Sequence, residues 1–509
     1  MTDIKERAVW NSKMGFILAA IGSAIGLGNI WRFSYMAFEY GGGAFLIPYI
    51  VAIFIAGIPL MILEYTLGHK EKGSPPLALA RVSKRWEWLG WWMPLIALFG
   101  IMLYYSVIVS WCVNYLVFSI DLSWGDNAQE FFFNEFLQLS DSPANFMGIR
   151  MPILFGTVFV WIACWFTCYR GINHGIEKAC LLFMPLLFIL TLVLVGWTVQ
   201  LDGAWEAIKK YYLTPQWDQI NFISNSDAAK VWISAFGQIF FTLSLGFGIM
   251  VAYASYLPEK TDITGSAKWT VGINCVYSFI AGFAVFGIVG FMSAQSGTPF
   301  NEVIKDGPQL AFVVYPEAIR QLPIGQSLFG VMFFIVLILA GLSSGVSLIE
   351  AFSCSLIDKF GFKREKVVTI VCILGFLGSL IFTTRAGLLI LDITDHYVTN
   401  FGLVMAGFLE CILVGWILKA RRARQHINES GGRKISIIWE ICIRYITPIF
   451  LLVMIALSII SELKENYGGY STSHLIIFGL CWIIVPVFIG IALSRFKWSP
   501  EQNCSGPVD

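Results

Sequence analysis

Charged residues are scarce in this chain. Asp, Glu, Lys and Arg make up 13% of its 509 residues, whereas hydrophobic residues make up 57%. Soluble globular domains carry about 25% charged residues, so this composition excludes an ordinary water-soluble fold of this length. The net charge is +1, and no basic run is interleaved with aromatic residues, which argues against a nucleic-acid partner.

Cysteine and histidine are present without the spacing that metal or redox sites need. The 11 cysteines include no Cys-x-x-Cys pair, and the predicted outer loops hold almost none of them. We therefore expect neither a disulfide framework nor a zinc site. The five histidines are scattered, and no His, Cys or carboxylate cluster with catalytic spacing lies within the apolar segments, so a membrane enzyme is not expected.

Long apolar runs are abundant. Twelve stretches of the length that a helix needs to cross hydrocarbon begin near residues 14, 44, 90, 151, 178, 230, 268, 326, 367, 387, 440 and 474. An even number of spans puts both termini on one side. With the termini inside, the inner loops carry about 24 Lys and Arg and the outer loops about 8, the asymmetry of cytoplasmic loops. The pattern predicts an all-α polytopic membrane protein with cytoplasmic termini.

Glycine interrupts two of these spans. Gly22, Gly26 and Gly28 fall in the first span, and Gly246 and Gly248 fall in the sixth, five spans later. Lipid cannot satisfy unwound backbone, which must therefore face a ligand or protein. Two interrupted helices at corresponding positions of two halves indicate an inverted-repeat secondary transporter with a site near the midplane. Close helix packing through small residues is the alternative explanation of either segment alone.

At these residues the chain resembles the neurotransmitter:sodium symporter family, in particular its bacterial leucine-transporter-like amino-acid carriers. The matching segments are 26–33, 41–45, 237–244 and 340–344. The resemblance extends from Arg7 to Pro448 and implies ten core helices in two inverted five-helix repeats, followed by two further helices. The implied divisions are 1–13 for an N-terminal segment with inner-gate residues, 14–213 and 214–425 for the repeats, 426–495 for helices 11 and 12, and 496–509 for a cytoplasmic tail.

The resemblance implies a substrate site on helices 1, 3, 6 and 8. Its residues are Ser23, Ala24, Gly26, Leu27, Gly28, Ile101, Tyr105, Phe241, Thr242, Ser244, Phe247, Ser344 and Leu348. Monoamine carriers of the family have Asp at the position of Gly26, whereas glycine leaves room for a substrate carboxylate beside free backbone amides, which favour anions. The subsite for the substrate side chain is apolar and uncharged, so we expect a neutral, hydrophobic amino acid.

Two groups of uncharged oxygen ligands resemble the sodium sites of the family. The first group is Ala24, Asn29, Thr242 and Asn274, where the substrate carboxylate completes the shell. The second group is Gly22, Ile25, Ala340, Ser343 and Ser344. Hard cations prefer oxygen ligands, so two sodium ions are expected. Hydrogen bonding between helices is the alternative role of these hydroxyls and amides.

A chloride site is a further expectation from the resemblance. The bacterial relatives usually carry an acidic residue four positions after the Asn of helix 7, but this chain has Ser278 there, as chloride-dependent animal carriers do. A bound anion offsets the charge of sodium in a low-dielectric interior. The implied chloride ligands are Tyr49, Gln238, Thr242, Asn274 and Ser278. Proton antiport through another carboxylate, such as Glu350, is the alternative.

Two charged pairs match the gates of the family. Arg32 and Asp395 match the outer gate, below which Tyr105 and Phe247 form an aromatic lid. The inner gate is matched by Arg7, Trp10, Tyr256 and Asp358. Exposed ion pairs contribute little net energy and break easily, which suits gates that open and close.

The sequence therefore predicts a sodium-coupled symporter of neutral, hydrophobic amino acids that works by alternating access, with chloride as an additional ion. A proton-coupled or differently selective carrier of the same fold, and a non-transporting amino-acid sensor, are the alternatives. Short tails and a loop 121–150 without a cysteine pair or glycosylation sequon indicate a bacterial inner membrane. A monomer and a homodimer are both compatible with the sequence.

Overall fold

The computed structural model describes residues 8–146, 148–223, 225 and 227–500. Within these ranges the chain is predominantly helical, and its only β-structure is two isolated bridges, Gly42 with Pro215 and Ile149 with Thr384. Ten continuous helices and one bent pair are long and apolar enough to cross a membrane. The predicted all-α polytopic fold is confirmed.

We number the helices after the twelve predicted spans. Helices 2 to 5 are Gly43–Glu71, Lys84–Phe118, Met151–Tyr169 and Ile172–Thr198. Helices 7 to 12 are Ile263–Ser296, Gln326–Phe360, Arg364–Thr383, Gly387–Ile417, Ile437–Gly469 and Thr472–Ser494. Helix 1 consists of Lys13–Ala24 and Leu27–Glu39, which meet at an angle of 72°. Helix 6 consists of Ala228–Thr242 and Ile249–Ala254, each too short to span a bilayer alone.

Burial separates central helices from peripheral ones. In their most apolar stretches, helix 3 is 83% buried and helix 8 is 78% buried, whereas helices 5 and 11 are each 28% buried. Peripheral helices expose large apolar side chains, for example Phe155, Phe159 and Leu182. Such residues face lipid at no cost, so helices 3 and 8 form the centre against which helices 1 and 6 pack.

Helix 1 breaks where the glycines predict a break. Ile25 and Gly26 both have extended backbone, and Gly26 has φ −118° and ψ −170°. The chain then resumes as a short 3-10 turn, Leu27–Asn29. The Asn29 side chain stabilises the break because its Oδ1 accepts a hydrogen bond from the Gly26 N–H at 2.8 Å.

Helix 6 breaks over residues 243–248. Ser244, Gly246 and Gly248 have φ values of +53°, +78° and +73°. Glycine adopts this left-handed region without a steric penalty, which explains two of the three positions. The two breaks meet directly, since Ser244 Oγ donates to the Ser23 carbonyl at 3.1 Å.

Candidate substrate and ion site

A cavity of about 690 Å³ begins at the two helix breaks and extends away from the N terminus. It brings together every residue predicted for the substrate site: Ser23, Ala24, Gly26, Leu27, Gly28, Ile101, Tyr105, Phe241, Thr242, Ser244, Phe247, Ser344 and Leu348. Near its mouth the cavity is lined by the loop after helix 7, the beginning of helix 10 and the loop between helices 11 and 12. The cavity is therefore accessible from one side of the molecule.

One corner of the cavity suits a small anion. A Cβ atom on Gly26 would lie 3.2 Å from Tyr105 Oη and 3.4 Å from Ser344 Oγ, so any larger residue would narrow this space. The Tyr105 hydroxyl is buried beside the Leu27 backbone and has no hydrogen bond of normal geometry. An unpaired hydroxyl donor and unwound backbone thus face the same small space, and a carboxylate can accept from both.

The opposite part of the pocket is apolar. It is lined by Ile101, Phe241, Phe247 and Leu348, and all but Phe241 are fully buried. The charged groups of the cavity belong to its mouth and are Arg32, Asp306, Asp392, Asp395 and His396. Burial raises the pKa of Asp306, which lies in the loop after helix 7. A charged substrate side chain would find no partner in the deep pocket.

The side chains of the first predicted sodium site form one buried cluster. Asn29 Nδ2 lies 2.8 Å from Thr242 Oγ1, 2.9 Å from Asn274 Oδ1 and 2.8 Å from Ser278 Oγ. Ala24 ends the inner half of helix 1 and lines the adjoining cavity. Helices 1, 6 and 7 therefore gather three neutral oxygens around the Asn29 amide nitrogen, a donor, beside the corner at Gly26. Hard cations prefer such oxygens, and a cation bound among them would take the place of that nitrogen.

The residues of the second predicted sodium site also meet. Ser344 Oγ lies 3.3 Å from the carbonyl oxygen of Gly22 and 3.4 Å from that of Ile25. Ser343 Oγ donates to the Ala340 carbonyl at 3.0 Å. These are uncharged oxygens at the junction of helices 1 and 8, and no carboxylate is among them, which fits a monovalent cation better than a divalent one.

Two of the predicted chloride ligands have unused hydrogen-bonding groups. Both polar atoms of the Gln238 side chain lack a partner although the residue is 0% exposed. The Tyr49 hydroxyl is buried near Ser278 and Cys275 without a hydrogen bond of normal geometry. Ser278 itself accepts from Asn29 and donates to the Asn274 carbonyl at 3.2 Å. Buried donors without partners are costly and indicate space for a ligand.

The predicted outer gate is open. Arg32 lies over the ring of Phe241, with its guanidinium carbon 4.9 Å from the ring centroid. Asp395 instead accepts a hydrogen bond from the Tyr104 hydroxyl at 2.5 Å. Among the ion pairs of the described residues, none joins Arg32 to Asp395.

On the side of the N terminus, the predicted gate residues are packed. Trp10 Nε1 donates to the Tyr253 carbonyl at 2.9 Å, and Trp10 N donates to the Tyr256 carbonyl at 3.1 Å. Asp358 accepts from the Ser74 N–H at 2.8 Å. Arg7, the remaining predicted member of this gate, lies outside the described residues.

Sequence reasoning missed two contacts near the predicted site. Ser347 lines the cavity and donates to Ser23 Oγ at 2.8 Å; its position three residues after Ser344, on the same helix face, was the available signal. Glu350, considered above for proton antiport, forms an ion pair with Arg364 and accepts from the Tyr256 hydroxyl at 3.1 Å. No local pattern signals this pairing between helices 8 and 9.

Two interrupted helices that share a cavity with oxygen clusters define an α-helical secondary transporter. The sequence matches the profile of the sodium:neurotransmitter symporter family over residues 7–130 and 123–496. The chain belongs to this family.

Several relatives cover most of the chain. An uncharacterized sodium-dependent transporter of Methanocaldococcus jannaschii is 44% identical over 97% of this chain and 98% of the relative. The sodium-dependent serotonin transporter of Drosophila melanogaster is 33% identical over 99% of this chain and 87% of the relative. The sodium-dependent dopamine transporter of Caenorhabditis elegans is 30% identical over 91% of this chain and 82% of the relative. The protein is therefore a multi-pass membrane transporter of a sodium-dependent family.

Proposed function

We propose that the protein transports a neutral, hydrophobic amino acid together with sodium by alternating access. The observation that carries this proposal is the corner at Gly26, where Tyr105 has a buried, unpaired hydroxyl beside unwound backbone. A zwitterion fits there with its carboxylate in the corner and its side chain among Ile101, Phe247 and Leu348. The deep pocket supplies no charge for an ionic side chain.

A monoamine is the second candidate, because two relatives are named serotonin and dopamine transporters. An amine without a carboxylate needs a negative partner in the pocket. The acidic residues that line the cavity belong to its mouth, and the corner itself has glycine at position 26. These observations favour the amino acid.

The direct test is uptake into proteoliposomes with an imposed sodium gradient. We expect concentrative uptake of labelled leucine, alanine or tryptophan that is lost when potassium replaces sodium. Excess serotonin, dopamine, arginine or glutamate should not compete. Preferential uptake of arginine, glutamate or an amine would refute the substrate class, whereas binding without concentrative uptake would indicate a sensor.

Coupling between substrate and sodium follows from adjacency. Asn29 holds the Gly26 N–H and is also the centre of the oxygen cluster with Thr242 and Asn274. A substrate carboxylate in the corner therefore lies beside the first sodium site and can act as one of its ligands. Attraction between the carboxylate and the cation at short range and low dielectric makes each bind more tightly with the other. The second site, around Ser344, would hold a second ion without contacting the carboxylate.

We further propose that chloride binds near Ser278. Gln238 and Tyr49 supply the evidence, since their buried donors have no hydrogen-bond partners and can donate to an anion. The anion would offset part of the charge of sodium in the adjoining first site, which shares Thr242 and Asn274 with the proposed chloride ligands.

Replacing Ser278 by Glu tests the chloride proposal, because a fixed carboxylate then supplies the negative charge. We expect Ser278→Glu to transport equally well in gluconate and chloride. Ser278→Gln introduces a side chain of the same size as glutamate but without its charge, so uptake by this variant should remain chloride-dependent. Equal uptake by the native protein in gluconate and chloride, together with no effect of Ser278→Glu, would refute the proposal.

The open outer gate and the packed contacts of Trp10 correspond to an outward-facing state, given cytoplasmic termini. Inward opening then requires Arg32 to approach Asp395 while the contacts of Trp10 with Tyr253 and Tyr256 separate. We propose that the repeats 14–213 and 214–425 supply these movements, in a bacterial inner membrane. Labelling of single cysteines at the two gates, with and without sodium and substrate, should show opposite changes in accessibility.

A further inference from the structure

Two buried carboxylates lie on the helices that flank the break in helix 6. Glu64 of helix 2 and Glu410 of helix 10 are both 0% exposed. Glu64 Oε1 accepts a hydrogen bond from the Gly246 N–H at 2.8 Å. The other Glu64 oxygen and both Glu410 oxygens have no hydrogen-bond partner. Gly246 also packs against helix 10, because a Cβ atom on it would lie 2.9 Å from the Leu403 carbonyl oxygen and 3.4 Å from the Gly407 backbone nitrogen. Glu410 follows Gly407 by one turn on the same face of helix 10.

Other charged and titratable groups on or near helices 2, 3, 8, 10 and 11 are engaged with other partners. Their contacts are Glu87 with Lys359, Arg424 with Glu440, His69 with His426, Tyr65 with Thr270, and Arg444 with the rings of Trp416 and Tyr445. Cys411 follows Glu410 directly and is also buried. In the part of the chain that the structure describes, no Lys, Arg or His forms an ion pair with Glu64 or Glu410.

Two ionised carboxylates cannot share such a site. Each buried charge without a cation is strongly unfavourable, and repulsion at low dielectric makes two such charges more so. A protonated carboxyl gains an O–H donor, and the adjacent carboxylate is a strong acceptor. One proton therefore removes a charge and gives partners to oxygens that otherwise have none.

We propose that Glu64 and Glu410 bind one proton between them and form a buried proton-binding site that joins helices 2, 6 and 10. In this arrangement the Glu410 hydroxyl donates to Glu64, and Glu64 accepts from Gly246. Gly246 lies between Ser244 and Phe247, which both line the cavity. The proton thus stabilises the unwound segment through the Gly246 N–H, and none of the proposed sodium and chloride ligands belongs to this site.

Infrared spectroscopy of the purified full-length protein tests the proposal without relying on transport. At neutral pH we expect the carbonyl band of a protonated carboxylic acid, with an intensity of about one group per chain relative to free acid standards. Labelling glutamate with carbon-13 should shift this band. The band should be lost in Glu410→Gln, whose amide keeps an N–H donor for Glu64. It should persist in Glu462→Gln, a control at a carboxylate already paired with His396.

Three results would overturn the proposal. The first is no glutamate-derived band in the native protein, which would mean that a bound cation compensates two ionised groups. The second is a band of unchanged intensity in Glu410→Gln. The third is a native band whose intensity equals two protonated glutamates per chain and falls by half in Glu410→Gln. If Glu410→Gln is not recovered as a monodisperse protein, the intensity of the glutamate carbonyl band in the labelled native protein still shows whether the pair binds one proton, none or two.

Discussion

Asn29 is the residue whose replacement tests the site most directly. Its Nδ2 contacts Thr242, Asn274 and Ser278, and its Oδ1 holds the Gly26 N–H at 2.8 Å. Asn29→Ala removes the centre of the first proposed sodium site and the bond that stabilises the break in helix 1. We expect sodium-dependent substrate binding to be lost at ordinary sodium concentrations.

The size of the effect follows from the interactions lost. An ion–amide contact is worth about 1.5 to 3 kcal/mol net. At about 1.4 kcal/mol for each factor of ten, the apparent affinity for sodium should fall about 10- to 100-fold. Thr242, Asn274 and Ser278 can still bond to each other or to water, so the fold should survive.

The assay is equilibrium binding of labelled leucine to purified protein over a sodium titration, with thermal melting to check folding. Asn114→Ala is a suitable control because Asn114 donates to the backbone carbonyls of Ser110 and Pro152, and none of these three residues lines the cavity. Its sodium titration should match the native protein. An unchanged sodium midpoint in folded Asn29→Ala would refute the assignment of the first sodium site.

Three further predictions concern other parts of the molecule. Gly26→Asp should abolish amino-acid uptake, because its carboxylate would occupy the corner beside Tyr105, and retained leucine uptake would contradict that geometry. Lys359→Ala should lower the free energy of unfolding by about 3 to 5 kcal/mol, measured by thermal melting, because Glu87 loses a buried partner at 2.5 Å. Burial lowers the pKa of His426 from 6.5 to about 4. The unfolded chain therefore binds this proton at a higher pH than the folded protein does, and the free energy of unfolding should be highest above pH 6.5 and fall as the pH drops toward 4. In His426→Gln this fall in the free energy of unfolding should be smaller by about 1 kcal/mol, allowing for solvent screening. The same pH profile in the variant and the native protein would contradict this prediction.

Much of the architecture follows from local sequence. Apolar runs of membrane-spanning length predicted the helices, and the glycines in the first and sixth spans predicted the two breaks. Both signals are local, because lipid imposes helix wherever the backbone has no other partner, and glycine is the residue that tolerates Gly246 and Gly248 at positive φ.

The sequence by itself determined the class of fold, the interrupted helices and the residues that line the cavity, the last through resemblance to a family. Only the tertiary structure decided the partners of the buried charges. Glu350 and Glu64 are both acids in apolar helices, yet Glu350 pairs with Arg364 whereas Glu64 accepts a hydrogen bond from the Gly246 N–H. The physical reason is that a buried charge is stabilised by whatever neighbouring helices bring to it, and packing between distant segments leaves no local pattern.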